Sequence, residues 1–128
     1  SLPGREEKRV LLVVEFERYV FLCTHLSLTE EDRINTVNTI HKEAATFKKP
    51  VILAGDLNDL PNSSFIQSLQ QQWKRLSGEA FTFPADRPDR CIDYILTRKN
   101  DPFKVKSAIV MDEPVASDHR PVLVELEW

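Results

Sequence analysis

Apolar positions along this chain fall into short runs of two periods. Residues 9–17 and 19–26 are rich in Val, Leu, Phe and Tyr, and the Phe16-Glu17-Arg18-Tyr19 link between them predicts an antiparallel strand pair with a tight connection. A helix follows. Thr29 opens it, Glu30, Glu31 and Asp32 suit its positive end, and Thr29 with Asp32 has the spacing of a capping box. Ile34, Val37, Ile40, Ala44 and Phe47 recur at three- and four-residue steps and mark one apolar face. Residues 51–54 (Val-Ile-Leu-Ala) read as a strand buried on both faces, with Gly55 allowing a close backbone approach and Pro61 opposing continuation. Asn62 or Ser63 caps a shorter second helix to about residue 72. Residues 73–88 read as irregular, with Thr82-Phe83 touching a sheet edge. Strands are expected over 91–97, 104–111 and 122–128.

Composition adds bounds rather than identity. The 128 residues suffice for one domain with a core, and 41% hydrophobic with 29% charged residues is the balance of a folded chain. A net charge of −3, with Lys and Arg scattered, provides no phosphate-tracking stripe. No apolar run approaches the ~18 residues of a membrane span. Cys23 and Cys91 sit inside apolar strand-like runs, the setting of buried free thiols.

The candidate chemistry lies at the strand ends. Asp56 and Asn58 follow the central strand two residues apart, so an extended backbone would turn both side chains to one side as an acceptor beside a donor; the same letters also spell an Asx turn. His25 closes the second strand. Arg33 falls in the first turn of the helix after it, where it pairs with a neighbouring acid or serves the same rim. Asp93 interrupts an apolar run, and a buried carboxylate needs a histidine, a cation or a metal. Asp118-His119 stands in a proline-closed loop before the last strand. Oxygen-rich donors without a Cys–His cluster favour Mg²⁺ or Mn²⁺, and carboxylates, two imidazoles and an amide beside such a cation suit hydrolytic phosphoryl transfer.

Thr24-His25-Leu26, Gly55-Asp56-Leu57-Asn58, Ile92-Asp93-Tyr94-Ile95 and Ser117-Asp118-His119-Arg120-Pro121 occur in the order, and at about the spacing, of the endonuclease/exonuclease/phosphatase superfamily. The chain resembles the carboxy-terminal half of that fold. The resemblance implies an α/β (α+β) structure with a mostly antiparallel or mixed sheet and helices on one face, half of a four-layer α/β/β/α sandwich. It implies a metal-dependent phosphoesterase in which Asp56 and Asn58 position the attacking water. His119 would contact the scissile phosphate, with Asp118 assisting it or a metal, and His25 would bind phosphate and be oriented by Asp93. Arg9 and Arg33 would bind phosphate or fix the adjoining loop. Cys91 stands where an arginine often precedes Ile-Asp-Tyr, so that ion pair is missing. The amino-terminal half of the family fold supplies an Asn and the Glu that grips the principal Mg²⁺, and residues 1–128 contain no match to either. The expected partners are a phosphoester substrate, nucleic acid among the options, and either that amino-terminal half or a second copy. The rival expectation is a catalytically silent binding module that keeps half of the fold.

Overall fold

The computed structural model describes residues 11–128. Its elements run β1 (Leu12–Glu15), β2 (Val20–His25), α1 (Glu30–Ala45), β3 (Val51–Asp56), α2 (Ser64–Leu69), β4 (Trp73–Arg75), β5 (Asp93–Arg98), β6 (Lys104–Val110) and β7 (Val122–Glu127). The first five strands share one sheet in the order β1-β2-β3-β5-β4, while β6 and β7 form a two-stranded sheet. The β2–β3 pair is parallel, as the intervening helix requires, and β1–β2, β3–β5 and β4–β5 are antiparallel. The fold is therefore α/β with a mixed sheet. Among the described residues no helix is long and apolar enough to cross a membrane.

Strand alternation sorts the core into two faces. Val20, Leu22, Val51, Leu53, Tyr94 and Leu96 meet Val37, Ile40 and Ala44 of α1 and Phe65, Ile66 and Leu69 of α2. Both helices thus cover one face of the sheet. On the other face Ile52, Phe21 and Ile95 pack with Leu76, Phe103 and the inward residues Val124 and Leu126 of β7. Val51, Ile52 and Leu53 are all buried, so β3 is covered on both sides, as its unbroken apolar run predicts.

Several expectations shift. Ile34 is exposed, because the buried stripe of α1 runs through Arg33, Thr36, Val37, Ile40 and Ala44, one position away from it. Thr29 is the N-cap residue, yet its side chain makes no cap bond. Ser63 does cap α2, accepting from the Ile66 N–H. Residues 73–75 are a strand rather than loop: the Trp73-Lys74-Arg75 triplet is too short and polar to show a period, and pairing with Leu96–Arg98 decides it. Thr82 and Phe83 do meet the chain returning at Arg90. Cys91 is buried, Cys23 is partly buried, and neither is bonded to the other.

Candidate active site at one rim of the sheet

Three strands bring their chemistry to one edge through register alone. His25 ends β2 opposite Asp56 in the parallel pair, and Asp93 begins β5 opposite the same Asp56 in the antiparallel pair. Asp93 is thus a strand-end residue, half-buried, rather than the centre of an apolar run. A fourth group arrives from the loop before β7. That loop is stitched to residues 82–85 by Ala85 N–H to Asp118 O (2.7 Å), Arg120 N–H to Thr82 O (2.7 Å) and Arg120 Nε to Ala85 O (2.8 Å). The stitching sets His119 over the rim.

His119 Nδ1 lies 2.7 Å from Asp93 Oδ2, and its Nε2 lies 3.6 Å from Asp56 Oδ2. His25 Nε2 approaches the same Asp56 oxygen at 3.1 Å. One carboxylate oxygen therefore sits between two imidazoles. The orientation of His25 by Asp93 does not occur, because β3 lies between β2 and β5; Asp56 faces His25, and Asp93 orients His119.

Backbone detail explains the rest. Gly55 adopts φ +143°, and a Cβ there would stand 1.8 Å from the Thr24 carbonyl oxygen, so only glycine lets β3 pass β2 in this way. Asn58 adopts φ 53°, which ends the extended run. Its N–H donates to Asp56 Oδ1 (2.9 Å) and its Nδ2 to the Leu26 carbonyl (2.7 Å). The Asx turn and the paired site residues are one structure: Asn58 reaches the rim by turning, not by strand alternation.

Arg33 does not line the site cavity. It is buried, donating to the Ser27 and Leu28 carbonyls and forming an ion pair with Asp59 Oδ2 at 3.0 Å, which ties the loop after His25 to the loop after Asn58. Tyr94 adds a second tie through its hydroxyl to the Asp59 carbonyl (2.7 Å). Arg9 lies outside the described residues. Asp118 is 79% exposed at the side-chain level, with Oδ1 4.0 Å from His119 Nε2, beside the cluster rather than in it.

Two residues expected only at a sheet edge belong to the site. Thr82, 1% exposed, donates its hydroxyl to Asp93 Oδ2 at 2.6 Å and accepts the Ile92 N–H at 3.3 Å. Phe83 packs its ring against His119, centroids 4.7 Å apart. Neither carries a titratable signal, and both lie in the stretch read as irregular.

Charge follows geometry. Burial pushes the Asp56 carboxyl above its ordinary value; the Asn58 N–H and both imidazoles offset this in part, while Asp93 adds to it. Burial works to lower His119, but its bond to Asp93 and the nearby Asp93, Asp56 and Asp118 charges outweigh that and raise it. Asp56, Asp93 and His119 offer ligand atoms all within 4.8 Å of one another, a hard-donor set that fits a divalent cation. The site opens into a cavity of about 720 Å³ lined by His25, Asp56, Asn58 and His119 together with Leu60, Phe83 and Arg90. A cavity of about 640 Å³ at the opposite end of β5, around His41, Trp73 and Arg98, contains none of them.

The sequence matches the family model described as "Endonuclease/Exonuclease/phosphatase family" over residues 9–119. The chain belongs to the endonuclease/exonuclease/phosphatase family. Solved structures share its fold at low identity. An endonuclease/exonuclease/phosphatase from Bacteroides vulgatus is 23% identical with TM-score 0.70, covering 85% of this chain and 50% of its own. A family protein from Leptotrichia buccalis is 21% identical with TM-score 0.73, covering 94% and 53%. The Bacteroides thetaiotaomicron mannosyl-6-phosphatase is 20% identical with TM-score 0.69, covering 86% and 51%. This chain thus spans about half the length of these structures. No curated protein sequence matches it.

Proposed function

We propose that the chain forms the carboxy-terminal portion of a divalent-metal-dependent phosphoesterase domain, and that its rim cluster is the water-handling and imidazole side of the active site. The observation that carries this is the shared Asp56 oxygen, 3.1 Å from His25 Nε2 and 3.6 Å from His119 Nε2. Two imidazoles and a carboxylate with a raised pKa meet in an open cavity where one phosphate can touch all three.

In this reading water attacks phosphorus, the bond to the leaving oxygen breaks, and the water's proton passes to Asp56, whose raised pKa makes it a better base. Asn58 holds Asp56 in place through its backbone N–H. His25, on the open side of Asp56, contacts the phosphate oxygens. His119, whose proton affinity Asp93 raises, stabilises phosphate charge and gives a proton to the leaving oxygen. Mg²⁺ or Mn²⁺ would be held by Asp56 and Asp93 with the His119 ring or with Asp118, and would neutralise phosphate charge. A His119 that ligates a cation is neutral, so its metal-binding and proton-donating uses exclude each other at any instant.

The complete domain adds a covering half for the hairpin side, from the same protein or from a second copy. A mannosyl-6-phosphatase among the similar structures favours small phosphoesters, and the chain's −3 charge weighs in the same direction against polynucleotides. The test is hydrolysis of bis-p-nitrophenyl phosphate and p-nitrophenyl phosphate by the complete protein with Mg²⁺. Asp56→Ala is expected to lower kcat at least ~100-fold; an unchanged rate removes Asp56 from the mechanism. A wild-type protein inert on both esters, yet still binding phosphate, would support the silent binding module instead.

A further inference from the structure

Beside the site cavity lies a second one of about 350 Å³, between the start of α2 and the loop preceding β5. The two share Leu60, Asp89 and Arg90 as a common wall. Whatever is bonded to a phosphate at the rim therefore has a neighbouring hollow to enter.

The chemistry of that hollow is specific. Asn62 brings a carboxamide that no described residue engages. Glu79 and Asp89 bring carboxylates, each tied to an arginine through one oxygen (Arg75 to Glu79 Oε1, 2.8 Å; Arg90 to Asp89 Oδ1, 2.9 Å), which leaves the other oxygen of each open to a ligand. Arg90 is bonded there through Nε, so its two Nη groups are open donors. Phe81, 53% exposed, offers a bare aromatic face. Arg90 also lies over Phe83 at 5.3 Å, and Phe83 rests on His119, so the shared wall is stacked onto the catalytic imidazole.

Acceptors, donors and a two-way carboxamide around an aromatic ring match a ligand whose every polar group both gives and takes a hydrogen bond: a ring of hydroxyls with C–H faces. A nucleic acid strand fits poorly, because the Glu79 and Asp89 carboxylates lining the hollow would repel a backbone phosphate. Acyl chains fit poorly against a polar rim. We propose that this second cavity is the leaving-group subsite and that the substrate class is a phosphorylated monosaccharide, its hydroxylated ring held by Asn62, Glu79, Asp89 and Arg90 over Phe81. The inference rests on the phosphoesterase reading and deepens it. No bond forms in this cavity; it decides which alcohol leaves.

The complete protein with Mg²⁺ is assayed on hexose 6-phosphates and on p-nitrophenyl phosphate, whose leaving group carries no hydroxyl ring. The wild type is expected to favour a hexose phosphate in kcat/KM. Asn62→Leu and Phe81→Ala, both surface changes that leave the core intact, should each lower the ratio of kcat/KM for the hexose phosphate over p-nitrophenyl phosphate about tenfold, mainly through KM. A ratio that holds within about twofold in both variants overturns the sugar subsite alone. So does a nucleotide or phospholipid turned over better than every hexose phosphate. Hydrolysis by the wild type of neither ester, nor of bis-p-nitrophenyl phosphate, overturns the phosphoesterase reading as well.

Discussion

His119 and Asp93 form the most exposed-to-test pair in the molecule, since the 2.7 Å bond between them is what raises the imidazole's affinity for its proton. Replacing Asp93 with Asn removes the charge and weakens the acceptor. In metal-free protein, an NMR titration should then show the His119 pKa falling toward its ordinary 6.5; an unmoved titration curve would assign the shift elsewhere. The sign for stability follows. A folded pKa above the unfolded one means that the pair stabilises fully below pH 6.5, and that this contribution fades as pH rises through the raised folded value. Wild type and Asp93→Asn should therefore differ more in denaturant midpoint at about pH 5.5 than at about pH 8.5. Gly55 is a second single-residue test. Alanine there would need both an unfavourable φ and a displaced β2 backbone, and should cost more than about 3 kcal/mol in urea unfolding. Gly55 was legible as a place of close approach; that the neighbour is the Thr24 carbonyl was not.

At the level of elements, the connection between α1 and β3 depends on one side chain. Arg98, at the end of β5, donates to the carbonyls of Ala44, Phe47 and Lys49 and to both oxygens of Asp101, at 2.7–3.2 Å. It thereby satisfies carbonyls left over where α1 ends. Arg98→Ala should lower unfolding free energy by about 3 kcal/mol, because the carbonyls lose their donor and Asp101 its partner. A loss under ~0.5 kcal/mol would mean that water replaces the guanidinium without penalty. Element existence was readable from period and turn residues for β2, α1, β3 and β7. Missing from the linear pattern were β4, which is three residues long, and the exact stripe of α1, where Arg33 is buried because Asp59 and two carbonyls receive it.

Across the whole molecule, the hairpin β6–β7 covers part of the sheet face opposite the helices through Val124 and Leu126, while Val105, Ile109 and Leu123 remain exposed on it. Opposed Ile109 and Leu123 make an apolar pair with nothing above them among the described residues. The 128-residue chain by itself is therefore expected to self-associate in light scattering at tens of micromolar, taken as roughly the range where such patches act. A monodisperse monomer at that concentration would show that the hairpin surface needs no cover.

Fold class and most of the helix–strand order were legible in the sequence, because apolar period and turn chemistry are local properties, and they put His25 and Asp56 at strand ends. Which imidazole belongs to which carboxylate was decided only by tertiary structure. Strand order places β3 between β2 and β5, and the 82–85 loop carries His119 over Asp93, so partners 26 residues apart in the chain lie 2.7 Å apart in space. Pairing across a sheet depends on which strands are neighbours, and no single strand's own residues carry that information.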